Sequence, residues 1–172
     1  YAQKPEVAGN RLMLAKSTGS RIPGRKTILR HFSERDPRIA AVIQAVGPFR
    51  LKRNKNYFPV LCKAIIAQQI STRAADAITV RFLHLFNGKM PAPVKVLDIP
   101  HETLRTVGLS ARKVDYLRDL SAKFLDKSIQ PQSLPYLDNE AVIEKLTTVH
   151  GIGRWTAEMF LIFSLNRLDV LP

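Results

Sequence analysis

The run from Leu146 to Ala157 reads Leu-Thr-Thr-Val-His-Gly-Ile-Gly-Arg-Trp-Thr-Ala, and it admits few shapes. It predicts a helix, a tight hairpin on Gly151 and Gly153, and a second helix. Glycines permit positive φ, and they remove the side chains that would hold a ligand away from the backbone. The N–H groups of Ile152, Gly153 and Arg154 then open the second helix. Unpaired donors and the helix dipole favour an anion there.

Charge says what kind of anion. The 172 residues carry a formal net charge of +13, which points to a polyanion. Residues 1–55 hold 13 Lys/Arg and 3 acids, so +10 sits in that third and +3 in the rest. Residues 1–25 have no apolar periodicity and read as a flexible basic segment. It is either a tail with no dedicated role or a weak, salt-sensitive attractor of DNA. The single cysteine, Cys62, lies in Phe-Pro-Val-Leu-Cys-Lys-Ala-Ile-Ile and reads as core. One cysteine excludes a disulfide framework or a zinc site within the chain. No apolar run is long enough to span a membrane and no signal peptide is visible, so the expected compartment is intracellular and reducing. The chain starts at Tyr1 and stops at Leu171-Pro172, which is read as a fragment of a longer polypeptide.

Helical spacing recurs along the chain and no segment alternates as a strand would, so the expected class is all-α. Helices are expected over 26–33, 38–46, 57–69, 72–86, 100–107 and 109–125, with loops at 87–95 and 131–137. Asp36-Pro37 reads as a cap and a first-turn proline. Ile39, Val42, Ile43 and Val46 are expected to face inward, as are Val60, Leu61, Ala64, Ile65 and Ala67. Ser71 is expected to cap one helix, and Asp138 or Asn139 the first hairpin helix. Leu104 to Lys113 also echoes Leu146 to Trp155 with one residue gapped, either as a second phosphate-facing unit or by chance.

The hairpin resembles that of the HhH-GPD DNA glycosylase superfamily, whose pattern is Leu-x-x-x-x-Gly-Ile-Gly-x-x-Thr-Ala. Arg154-Trp155 is most similar to the alkylpurine branch, the 3-methyladenine DNA glycosylase II enzymes. Ala67-Gln68-Gln69-Ile70-Ser71 with Ala74-Ala75 is similar to the helix that carries the family's DNA wedge. Val107-Gly108-Leu109-Ser110-Ala111-Arg112-Lys113 is similar to the loop-helix before the hairpin. Together these cover roughly residues 30 to 172.

The resemblance implies two helical lobes around a DNA-binding cleft, with the C-terminal part missing. Residues 26–55 would begin the first lobe and 56–172 form the hairpin lobe. The implied partner is double-stranded DNA containing alkylated bases, met by a monomer in a bacterial nucleoid or a nucleus, with no membrane involved. Gln69 would be the wedge, with Gln68, Ile70 and Ser71 beside it. Alternatively, the two glutamines satisfy backbone groups at a helix junction. Phosphate contacts would come from Gly151, Ile152, Gly153, Arg154, Thr156, Gly108 and Lys113. Main-chain carbonyls of Thr147, Val149 and Ile152 would hold a structural Na+ or K+. No cofactor is required, and neither zinc nor an iron–sulfur cluster is evident.

Two residues bear on the chemistry. In relatives that also cut the strand, a lysine two positions after the second hairpin glycine forms a Schiff base. Here that position is Trp155, so the resemblance implies a monofunctional glycosylase that uses water. An indole can stack a flipped base, and a cationic alkylpurine adds a cation–π term of about 0.5–2 kcal/mol. The competing reading makes Trp155 core. Met159 follows on the same face, as does Ile162, which reads as packing. The family's catalytic aspartate follows a proline in a Pro-x-Asp segment, and here the match ends at Pro172. That aspartate would stabilise the oxocarbenium-like sugar and orient water. Asp169 is the nearest visible carboxylate, but it precedes the proline and so stands out of register. The implied function is excision of alkylated purines such as 3-methyladenine. The alternatives are a non-catalytic DNA-binding module lacking the acid, and excision of a different lesion.

Overall fold

A computed structural model describes residues 25–47, 54–167 and 169–172. Residues 1–24 of the basic segment lie outside the described residues, and Arg25 already belongs to the first helix. The elements are α1 (Arg25–Arg35), α2 (Pro37–Val46), α3 (Tyr57–Ala67), α4 (Thr72–His84), α5 (Pro93–Asp98), α6 (His101–Thr106), α7 (Ala111–Leu125), a 3-10 turn (Leu134–Tyr136), α8 (Asn139–Thr147) and α9 (Arg154–Leu165). There is no strand among the described residues, and the class is all-α as expected.

Side-chain caps set several helix starts. Asp36 accepts from the N–H groups of Arg38 and Ile39, with Pro37 in the first turn. Ser71 accepts from Ala74, Ser110 from Lys113, and Asp138 from Ala141. Asp138 is therefore the cap of the first hairpin helix.

The core forms where α7 packs on α3, α5 and α6, while α9 packs on α8 and α3. Leu61, Ile65 and Ile66 of α3 meet Leu117 and Leu120 of α7 and Leu161 of α9 in one buried cluster. Edge-to-face pairs bind it further: Tyr57 with Phe160 and Phe58 with Phe124, each 5.1 Å between centroids. Cys62 is buried there, and burial pushes its thiol pKa up. No helix among the described residues is long and apolar enough to cross a membrane.

Four expectations change. The loop expected over 87–95 ends early, because Pro93 starts α5, and a 3-10 turn occupies part of the loop expected over 131–137. On α3, Leu61 and Ile65 are buried with Cys62 and Ile66, whereas Ala67 is exposed and Val60 and Ala64 are half-buried. That helix is apolar nearly all round, so period alone does not choose its inner face. On α2 the expected inner face is open: Ile39, Val42 and Val46 are 42%, 60% and 75% exposed. Ala40 is buried instead, and α2 packs on α1.

Candidate functional site

The hairpin between α8 and α9 rests on α7. Gly151 has φ +82°, and a Cβ there would fall 2.1 Å from Cδ2 of Tyr116. The Tyr116 ring thus lies directly on the glycine. Gly153 differs: its φ is −88°, ordinary extended backbone, and a Cβ there would meet nothing within 4 Å. The expectation of positive φ at both glycines is corrected at Gly153, whose bare face opens outward. Asp119 of α7 steadies the turn by accepting from the His150 N–H at 2.7 Å, with the His150 Nδ1 at 2.8 Å.

The donors are fewer than expected. The Ile152 N–H donates to the Val149 carbonyl at 3.0 Å, so it is not available to an anion. No side chain caps α9. Its first-turn N–H groups, beginning at Gly153 and Arg154, therefore face outward without a partner among the described residues. Of the three carbonyls expected to hold Na+ or K+, Val149 accepts the Ile152 N–H, while Thr147 and Ile152 accept no bond from the described backbone outside helices.

The α3–α4 junction sits against this hairpin. Gln68 donates its Nε2–H to the Gly151 carbonyl at 2.7 Å. Gln69 follows at φ +56°, a left-handed conformation that costs a non-glycine residue about 1–2 kcal/mol. Its side chain is exposed, as are Ile70 and Ser71. The Ser71 hydroxyl is occupied in capping α4. Of the four residues expected at the wedge, two have internal duties and Gln69 stands clear.

The expected phosphate cations are also engaged. Lys113 Nζ donates to the carbonyls of Ile66 at 2.7 Å and Gln68 at 2.8 Å, at the C-terminus of α3. Burial pulls its pKa below the ordinary lysine value. Arg154 grips Glu140 of α8 with both Nη atoms and Glu158 of α9 with Nε at 2.9 Å. These bonds hold the Glu140 carboxyl below the usual range and raise the guanidinium. Gly108 has φ +98° and is roofed by Arg81, whose Nη2 would lie 2.9 Å from a Cβ there. Arg112, at the cleft, has no hydrogen bond or ion pair among the described residues.

These pieces enclose one cavity of about 880 Å³. Val60 and Ala64 of α3 form one wall, Gln68 and Gln69 the rim, and Lys113 and Tyr116 of α7 a second wall. Gly151, Gly153 and Thr156 border it, and Trp155, Met159 and Phe163 of α9 complete it. Trp155 is 66% exposed, so it is not core, while Ile162 does not line the cavity. Sequence reasoning missed Tyr116 and Phe163. The i, i+4, i+8 series of Trp155, Met159 and Phe163 was the signal for Phe163. No Asp or Glu among the described residues lines the cavity, and Asp169 lies exposed elsewhere.

The all-α fold places this hairpin at the mouth of an aromatic-lined cleft. The profile of the HhH-GPD superfamily of base excision DNA repair proteins matches residues 62–171. The chain belongs to that superfamily, in its alkylpurine DNA glycosylase branch. It is 40% identical over 147 residues to DNA-3-methyladenine glycosylase 1 of Schizosaccharomyces pombe, covering 83% of this chain and 64% of that protein. A crystal structure of DNA-3-methyladenine glycosidase from Bacillus halodurans superposes with a TM-score of 0.73 at 38% identity, over 82% of this chain and 64% of that one. The S. pombe 3-methyladenine DNA glycosylase Mag1, in complex with abasic DNA, gives 0.74 at 38%, over 85% and 73%. The chain therefore spans about 64% of the length of the first and second of these proteins.

Proposed function

We propose that this protein excises alkylated purines from double-stranded DNA as a monofunctional glycosylase. The single observation that carries the reading is the exposed indole of Trp155, seated in the cleft between the hairpin and Gln69. The phosphate backbone docks on the free N–H groups at the start of α9, where the dipole and the bare face of Gly153 favour close approach. Gln69 enters the gap left by the extruded nucleotide. The flipped base stacks on Trp155, with Met159, Tyr116 and Phe163 around it, and the cleft is ample for a purine.

An alkylpurine needs little acid catalysis, because N3 or N7 alkylation already makes it a good leaving group. Stacking therefore selects for positive charge. Asp169 is exposed and does not line the cleft, so the role of steadying the developing sugar cation is not assigned to it. The position of Trp155 carries no amine, which disfavours Schiff-base chemistry.

Trp155 is the one tryptophan in the chain, so its fluorescence reports the pocket directly. A duplex with a single N7-methylguanine is expected to quench it more than the same duplex with guanine. Equal quenching by the two duplexes would remove the base-stacking role.

A further inference from the structure

The bonds of Lys113 do not suit a phosphate contact. Its ammonium reaches across from α7 to two carbonyls at the end of α3, those of Ile66 and Gln68, at 2.7 and 2.8 Å. Those carbonyls are the orphan acceptors of a helix C-terminus, where a cation is favoured. Gln68 then passes the connection on through its carboxamide, which donates to the Gly151 carbonyl at 2.7 Å. Tyr116, three residues after Lys113 on α7, lies against the same glycine. One surface of α7 thus touches both the turn that presents Gln69 and the hairpin. Gln69 itself sits at φ +56°, a conformation that needs support from its surroundings.

We infer that Lys113 and Gln68 are positioning residues that tie the Gln69 turn to the glycine hairpin, so that wedge and phosphate grip are held in fixed register. The inference rests on the proposed excision reading, because register matters only if a nucleotide is extruded between the two elements. A tie predicts loss of discrimination between damaged and intact DNA when either residue is changed. A phosphate contact predicts weaker binding to every duplex alike and a shallower salt dependence. The adjacent Arg112, free of partners among the described residues, carries the backbone charge instead.

The test is the affinity of the protein for a duplex with a tetrahydrofuran abasic analogue and for the undamaged duplex, each over a range of KCl. The wild type is expected to prefer the analogue. Lys113→Met is expected to lose that preference by about tenfold or more while its log K against log[salt] slope stays unchanged. Gln68→Leu is expected to do the same, and Lys113→Arg to restore part of the preference. A slope shallower by about 0.9 in Lys113→Met, with preference kept, would make Lys113 a phosphate contact and overturn the inference. Wild-type preference in a folded Gln68→Leu would also overturn it, and this arm decides if Lys113→Met does not fold. If the wild type itself shows no preference, the excision reading fails and the inference falls with it. Preference in the wild type with no change in the variants removes the inference alone.

Discussion

The two hairpin glycines look equivalent in the sequence, and the structure gives them separate tasks that Gly→Ala substitutions should resolve. At Gly151 an alanine meets two penalties. The φ of +82° is left-handed, and a Cβ there costs about 1–2 kcal/mol. The methyl would also lie 2.1, 2.4 and 2.6 Å from three atoms of the Tyr116 ring, so that ring must move. Overpacking of this kind costs about 1–3 kcal/mol, for a total of about 2–5 kcal/mol. For a chain of this size that corresponds to a fall in Tm of roughly 4–20 °C. At Gly153 the backbone is ordinary and nothing lies within 4 Å, so alanine costs at most about 1 kcal/mol as a poorer N-cap. Its methyl instead stands where the proposed function brings a phosphate to the start of α9. Losing one charged hydrogen bond there, about 1.5 kcal/mol, weakens DNA binding roughly tenfold. The assays are thermal denaturation and duplex binding for each variant, with Gly151→Ala repeated in a Tyr116→Ala background. In that background the clash share should vanish and the backbone share persist. A Gly151→Ala protein within about 1 kcal/mol of wild type would refute the packing argument. So would a penalty that is undiminished without Tyr116.

Trp155→Ala should leave Tm nearly unchanged, because the indole is 66% exposed, yet abolish selective excision; a matched fall in Tm would mark it as structural. Trp155→Lys should not give efficient borohydride trapping on DNA unless the catalytic carboxylate is also present. Glu140 has a folded pKa below its ordinary 4.5 because of Arg154, so its stabilisation is complete above about that pH and is lost as pH falls through the lower folded value. Glu140→Gln should therefore flatten the acid limb of a Tm–pH profile, and an unchanged limb would count against the pair. Cys62, buried with its pKa raised, should resist thiol reagents at pH 8 until the protein unfolds.

Much of this was legible in the chain because local chemistry specifies it. Ser71 and Asp138 are caps by residue type, and Pro37 opens a helix for the same reason, whereas Pro93, expected in a loop, opens α5 and Ser110, expected inside a helix, caps α7. The hairpin could be found because the positive φ of Gly151 needs a glycine, whereas the Gln68-Gln69 turn was reached through the family resemblance, since its left-handed Gln69 is not a conformation that glutamine favours. Partner choice was not legible. Nothing in the string says that Lys113 turns toward carbonyls of α3, or that Arg154 is held by Glu140, which lies 14 residues away. Those depend on how α7 and α8 pack. The open face of α2 makes the same point, since period groups Ile39, Val42 and Val46 without naming what they meet. Tyr116 escaped notice because its role lies in what Gly151 lacks.

Release of a free base is the defining step of the proposed reaction. The direct measurement is incubation of the protein with duplex DNA carrying a single N3- or N7-alkylated purine, with free base resolved by chromatography and strand breaks scored before and after alkali. The expected result is free alkylpurine in step with breaks that appear only after alkali. Binding that discriminates the lesion but releases no base would contradict the enzymatic claim and leave a damage-recognition module in its place.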